Sequence, residues 1–110
     1  MALERPHRGE VYLVALDPTR GREIRKTRPC AVVSPDELNR HMQTVLVAPL
    51  TTGGQQYPFR IACRFQRQDG YVVLDQLRVV DVSRLVRRLG RLSDTTLTTV
   101  LLTLQEMFVK

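Results

Sequence analysis

The sequence predicts a small, mainly β domain: a barrel of short strands with one C-terminal α-helix. Three observations carry this prediction. Short apolar runs are separated by turn signals, the periodicity changes from strand-like to helical near the C-terminus, and 110 residues suffice for one modest core. We therefore expect residues 1–110 to form a single domain.

Each predicted strand is a run rich in β-branched and other apolar residues, bounded by glycine, proline or polar residues. Residues 59–65 alternate most clearly, with aromatic and aliphatic side chains on one face and Arg60 and Arg64 on the other. Residues 82–89, VSRLVRRL, fit a helical turn that runs into a last strand, and the sequence does not separate the two. The predicted strands cover residues 9–16, 30–34, 44–50, 59–65, 71–75 and 77–80.

The C-terminal segment SDTTLTTVLLTLQEMF predicts an amphipathic helix, because its apolar residues recur every three or four positions. Ser93 is the expected N-cap, and Asp94 suits the positive end of the helix dipole. Several threonines lower the helix propensity, so packing against the barrel must stabilise this helix.

Composition narrows the classes of function. The formal net charge is +6, and all but two of the 17 basic residues are arginines. The planar guanidinium matches phosphate with two hydrogen bonds and stacks on bases, so this excess favours a nucleic-acid partner. A GC-rich genome would also favour arginine. No apolar run approaches the ~20 residues of a membrane span, and the N-terminus lacks the apolar core of a secretory signal, so we expect a cytoplasmic protein.

The side chains offer little for metal or nucleophilic catalysis. Cys30 and Cys63 lie in apolar runs and are predicted to be small core residues, without a disulfide. His7 and His41 have no partners at metal-ligand spacing, so no metal or other cofactor is expected.

Cleavage of RNA by its own 2'-hydroxyl needs neither a metal nor a protein nucleophile. The substrate supplies the attacking oxygen, and the enzyme moves protons and stabilises the charged phosphorane. Arginines, carboxylates and hydroxyl or amide donors suffice for this chemistry. The sequence offers residues of these types, two of them in a basic segment between two strand-like runs and three farther along the chain: Glu23, Arg28, Thr51, Asp75 and Gln76.

The run RGEVYLVALDPTRGREIRKTRPCAVVSP resembles the opening of the MazF/PemK (Kid) toxins of bacterial toxin–antitoxin pairs. The stretches VAPLTTGGQQYPF and DGYVVLDQLRVVD and the terminal helix resemble that family in the same order. The resemblance implies an SH3-like barrel, a homodimer and a small antitoxin partner. It also implies metal-independent, sequence-specific cleavage of single-stranded RNA to 2',3'-cyclic phosphate and 5'-hydroxyl ends.

The resemblance also implies roles for individual residues. Arg28 matches the family's arginine that acts as acid or base and stabilises the phosphate. Thr51 matches the threonine that donates a hydrogen bond to the scissile phosphate, and Glu23 matches the glutamate expected to accept a proton. A free guanidinium keeps its proton far above neutral pH, which favours an electrostatic role for Arg28. The expected RNA-contacting residues are Arg22, Arg25, Lys26, Thr52, Asp75, Gln76 and His41.

Two positions depart from the PemK pattern, in which a histidine precedes the glutamate and an arginine stands two residues before the aspartate. Here these positions are Arg22 and Val73, so the pattern is nearer the MazF branch.

Simpler interpretations exist for each site residue. Arg28 is suited to pairing with a carboxylate, Thr51 and Thr52 to a turn, and Asp75 to anchoring a loop. Two other functions stay open from sequence: a non-catalytic CcdB-like poison of DNA gyrase, and a plain RNA-binding barrel.

Overall fold

The structure is a computed structural model, and it describes residues 5–16 and 27–110. This part of the chain contains seven antiparallel strands that form one sheet, two α-helices and two short 3-10 turns, Leu74–Gln76 and Val82–Arg84. In chain order the elements are β1 (Glu10–Ala15), β2 (Thr27–Val32), α1 (Asp36–His41), β3 (Thr44–Thr52), β4 (Arg60–Phe65), β5 (Gln68–Val73), β6 (Arg78–Asp81), β7 (Leu85–Arg91) and α2 (Asp94–Met107).

Strand β3 is the centre of the sheet. Its first half pairs with β6, its last three residues pair with β5, and its other edge pairs with β2. The strand order is β4-β5-β3-β2-β1-β7, with β6 beside β3. The end strands β4 and β7 approach each other where Phe65 packs against Gly90, but the described residues form no ladder between them. The expected mainly β, barrel-like fold is confirmed, and its sheet stays open.

Both faces of the central strands are buried. One cluster, which includes Val11, Ala48 and Val72, packs against Val100 of α2. The other, which includes Val14, Cys30 and Val47, lies on the opposite face of β1, β2 and β3. Strands buried on both faces read as continuous apolar runs rather than alternating ones, and this is why the sequence of these three strands lacks a clear period of two.

Helix α2 begins where the sequence predicts. Ser93 caps it, because its hydroxyl accepts a hydrogen bond of 3.1 Å from the backbone N–H of Thr96. Leu97 packs so closely on Gly9 that a Cβ there would lie 2.9 Å from the leucine side chain. The helix is therefore held by packing on the sheet, as its threonine content requires. Neither helix of the described ranges has the length and hydropathy to cross a bilayer.

Three elements differ from the sequence prediction. Strand β5 begins at Gln68, three residues before the predicted start, and the predicted strand residues 74 and 75 lie in the following 3-10 turn. Strand β2 begins at Thr27, three residues before the predicted start, and so includes Pro29, a residue that argues against a strand. Helix α1 replaces part of a predicted polar loop. Six residues are too few for helical periodicity to stand out, and only two acidic residues in the first turn, Asp36 and Glu37, favour a helix there.

Candidate active site

Arg28 and Thr51 lie on adjacent strands at one end of the sheet. Arg28 and Thr51 each lie two residues beyond Cys30 and Pro49, the last pair of the ladder between β2 and β3. Both residues line one cavity of about 490 Å³. The structure therefore brings together the two main residues that the sequence predicts for catalysis.

Cross-strand pairing continues from Thr51 over the next two strands. Thr51 pairs with Tyr71 of β5, and Tyr71 pairs with Ala62 of β4. Thr51 and Tyr71 are therefore direct cross-strand neighbours.

A groove runs along this end of the sheet. One cavity of about 490 Å³ has Arg28, Thr51, Thr52, Phe65 and Gln68 among its lining residues. A second cavity of about 460 Å³ is lined by Gly53, Gly54 and Tyr71, among others. Cys63 and Gly70 line both cavities. We call the two cavities together the groove; its lining combines hydroxyl, amide and guanidinium groups with apolar side chains.

Arg28 has no carboxylate partner among the described residues, so the pairing expected from the simplest interpretation is not seen there. Its side chain is half-buried in the wall of the groove. A guanidinium free of a carboxylate keeps its five N–H donors available for a phosphate. Arg28 is therefore suited to stabilise negative charge that develops in the groove.

Neither cysteine is equipped as a nucleophile. Burial raises the pKa of the Cys30 thiol to about 12 and also raises the pKa of Cys63. Both are free and protonated at neutral pH, and a thiol is far less reactive than a thiolate. Cys30 is fully buried in the core, as the sequence predicts, and Cys63 packs half-buried against the core while it also lines the groove.

Gly70 shapes the groove and was not identified from the sequence. It pairs with Thr52, and a Cβ at position 70 would lie 1.7 Å from the backbone oxygen of Thr51. No side chain fits there unless β5 moves away from β3. A glycine inside a strand-like run is the signal that could have indicated such a close backbone approach.

Asp75 lies in the 3-10 turn after β5 and pairs with Arg60 of β4. The Nε and one terminal nitrogen of Arg60 each donate to a different carboxylate oxygen of Asp75 at 3.1 Å. This double hydrogen bond lowers the pKa of Asp75. The PemK pattern has an arginine two residues before the aspartate, where this chain has Val73. The register of β4 with β5 places Arg60 directly opposite Val73. An arginine thus meets the aspartate from the neighbouring strand, and Gln76 follows exposed in the same turn.

The other predicted site residues fall into two groups. Thr52 is exposed and lines the groove, whereas His41 is exposed at the end of α1, beyond the opposite end of β3. Seven residues of strand separate Thr44 from Thr51, roughly 23 Å, so the groove of one chain does not contain His41. Arg22, Glu23, Arg25 and Lys26 lie outside the described residues.

No group of three or more histidine, cysteine, aspartate or glutamate side chains within residues 5–16 and 27–110 could hold a metal ion. The polar groups in the described part of the groove include hydroxyl, guanidinium and amide groups, the Cys63 thiol and the Asp69 carboxylate. The hydroxyl, guanidinium and amide groups can bind an anionic ligand and exchange hydrogen bonds with it.

Comparison with known proteins identifies the family. The family model for the PemK-like, MazF-like toxin of type II toxin–antitoxin systems matches residues 7–108. The endoribonuclease PemK of Escherichia coli is 38% identical over 103 residues, covering 86% of this chain and 75% of the relative. The endoribonuclease toxin MazF of E. coli K12 is 35% identical over 75 residues, covering 68% of each chain.

Solved structures share the fold over nearly the whole chain. A mycobacterial endoribonuclease in complex with its cognate antitoxin has a TM-score of 0.75 at 27% identity and covers 92% of both chains. A MazE–MazF structure from Deinococcus radiodurans has a TM-score of 0.81 at 25% identity, covering 94% of this chain and 96% of that one. The resemblance drawn from sequence is confirmed: the chain belongs to the PemK-like, MazF-like toxin family of type II toxin–antitoxin systems.

Proposed function

We propose that this chain is an endoribonuclease toxin that cleaves single-stranded RNA. Relatives of the same family carry that activity in their names. The observation that carries the proposal is that Arg28 and Thr51 line the same cavity, with no carboxylate bound to Arg28 among the described residues. A free cation beside a hydroxyl donor is what a scissile phosphodiester requires.

The reaction is an internal transesterification. The ribose 2'-oxygen attacks the adjacent phosphorus as its proton passes to a base, and the bond from phosphorus to the 5'-oxygen breaks as that oxygen gains a proton. The products are a 2',3'-cyclic phosphate and a 5'-hydroxyl. Arg28 stabilises the charged phosphorane, Thr51 donates a hydrogen bond to a non-bridging oxygen, and Glu23 takes the 2'-proton.

RNA binding extends beyond the scissile linkage. Thr52 lines the groove next to Thr51 and contacts the flanking nucleotide. Arg22, Arg25 and Lys26 precede β2 in sequence and bind neighbouring phosphates, as the net charge of +6 favours. Gln76 and His41 are exposed donors or acceptors for bases farther from the cut, with His41 reserved for RNA that extends past the other end of β3.

The biological partners follow from the family. We assign to this chain a cognate, MazE-like antitoxin that blocks the groove, a homodimeric state and a cytoplasmic location. Support for the antitoxin comes from relatives solved as toxin–antitoxin complexes. The excess of positive charge also suits an acidic antitoxin segment that competes with RNA.

Incubation of the purified protein with single-stranded RNA in excess EDTA tests this function. We expect discrete fragments that carry cyclic-phosphate and 5'-hydroxyl ends, because the substrate supplies the nucleophile and the protein supplies the charge stabilisation. Mapping of the fragment ends gives the recognised motif. Binding without any cleavage would contradict the proposal and favour a non-catalytic barrel.

A further inference from the structure

The geometry points to a positioning role for Arg60 and Asp75: together with Tyr57 they brace the loop of residues 53–59, which forms part of the groove wall, and so tune RNA sequence selection without touching the reacting atoms. We call these three side chains the brace. This inference rests on the proposed ribonuclease function and adds to it the residues that govern specificity.

The brace joins three separate segments. Arg60, the first residue of β4, holds Asp75 of the 3-10 turn through two hydrogen bonds of 3.1 Å. Its guanidinium carbon also lies 4.9 Å from the ring centre of Tyr57, on the loop between β3 and β4. Stacking on one side and forked pairing on the other fix the plane of the guanidinium.

Backbone hydrogen bonds extend the brace into the loop. The N–H of Arg60 donates to the carbonyl of Tyr57 at 3.2 Å, and the N–H of Leu74 donates to the carbonyl of Phe59 at 3.1 Å. The side-chain amide of Gln56 donates to the carbonyl of Arg60 at 3.0 Å. The end of the loop is therefore attached to both β4 and the turn that carries Asp75.

The loop has few other contacts to hold it. All residues from 53 to 59 are exposed, and Gly53 and Gly54 have positive φ angles of 68° and 93°, where an added Cβ would meet nothing within 4 Å. Gly53 donates one hydrogen bond, to the carbonyl of Asp69 at 3.2 Å. Because Gly53 and Gly54 line the groove, a shift of the loop changes the space offered to a nucleotide beside the cut.

Two observations indicate that the brace does not contact the reacting atoms. Arg60 is two strands and two residues away from Thr51, about 12 Å between Cα atoms on strand spacing alone, and Asp75 lies farther along. Both carboxylate oxygens of Asp75 are occupied by Arg60, whose positive charge they offset. A neutral, internally paired group is a poor phosphate ligand and a poor base, whereas it is well suited to fix a loop.

Charge reversal tests the brace. Four variants are compared with the wild type: Arg60→Asp, Asp75→Arg, the double reversal, and Arg64→Ala as control. Arg64, also on β4, forms a single hydrogen bond of 3.1 Å with Asp69 of β5, and its side chain is 65% exposed, against 25% for Arg60. Each is assayed on an RNA pool with randomised sequence, and amide exchange of residues 53–59 is measured by mass spectrometry.

We expect each single reversal to speed exchange in the loop, broaden the cleaved motif and raise KM about 3- to 10-fold, with a smaller change in kcat. The double reversal, which restores the ion pair but not the stacking on Tyr57, should recover part of all three, and Arg64→Ala should change none. The salt dependence of RNA binding should not weaken in an Arg60 variant, since a paired arginine releases no counterions.

A loss of kcat beyond about 100-fold in Asp75→Arg, with unchanged loop exchange and no recovery in the double reversal, would overturn the inference and make Asp75 catalytic. If the wild type cleaves no RNA, the proposed function fails instead. The exchange data then still decide the structural part of the inference, because an unchanged loop in the single reversals would refute the brace.

Discussion

Two arginines, Arg28 of β2 and Arg60 of β4, have opposite environments. Arg60 is held by Asp75 on one side and Tyr57 on the other. Arg28 lines the groove and has no carboxylate partner among the described residues. A paired arginine fixes structure, whereas a free arginine beside a hydroxyl is available for a phosphate. In a chain with 15 arginines, the environment of each one says more about function than their number does.

The most severe way to break this contrast is to remove the guanidinium of Arg28. We expect Arg28→Ala to lower kcat for RNA cleavage by about 10²- to 10³-fold, as loss of a transition-state donor does in other enzymes. Growth inhibition should disappear while the dimer stays intact. Arg87→Ala, at an exposed position on β7, is the control. Single-turnover cleavage within threefold of the wild type for Arg28→Ala would contradict our assignment.

A methyl group added at Gly70 should displace Thr51 from its position beside Arg28. Because its Cβ would lie 1.7 Å from the backbone oxygen of Thr51, Gly70→Ala must push β5 away from β3. We expect roughly 10²-fold slower cleavage and a lower melting temperature. Gly53→Ala, a position surrounded by open space, should lose less activity. Full activity in Gly70→Ala, measured beside a melting curve, would mean that the strand contact is unimportant.

Removal of the hydroxyl itself should have a smaller effect. A neutral hydrogen bond contributes about 0.5–1.5 kcal/mol, so Thr51→Ala should slow cleavage by about tenfold or less in vitro and weaken toxicity. Thr51→Ser keeps the donor and should recover most of the rate. If serine and alanine behave alike in the cleavage assay, the hydroxyl has no direct role and Thr51 only shapes the groove.

The paired arginine predicts a weak dependence of stability on pH. The pKa of Asp75 is lowered by Arg60, so the folded state favours the carboxylate. The resulting stabilisation is complete above the ordinary aspartate pKa of ~3.9 and is lost as the pH falls through the lower folded-state value. Denaturant titrations of the wild type and Asp75→Asn should differ by a constant amount near neutral pH and converge below pH ~3.9. A difference that stays constant into acid would contradict the pairing.

The sequence was sufficient for the architecture because each strand is an apolar run and Ser93 marks the start of α2. It was insufficient for the start of β2, where Pro29 obscures a strand that contains Arg28. It also missed α1, which is too short to show a period. Local pattern alone therefore finds long elements and loses short or proline-containing ones.

The site residues also differ in whether a local sequence pattern predicts them. Arg28 and Thr51 lie within short motifs that the sequence displays, and the fold places both in the lining of one cavity. The pair of Arg60 with Asp75 depends on a cross-strand register between residues 15 apart, which no local motif encodes. Cys63 follows the alternation of its strand, but whether a half-buried position faces core or groove depends on how far the sheet closes.

The central claim is that the RNA supplies its own nucleophile while Arg28 stabilises the charge at phosphorus. Its most direct test replaces the ribose 5' to the cleaved linkage by 2'-deoxyribose in an otherwise identical oligonucleotide, with binding measured in parallel. We predict that binding persists and scission at that linkage ceases. Scission at the rate of the all-ribose substrate would contradict the account.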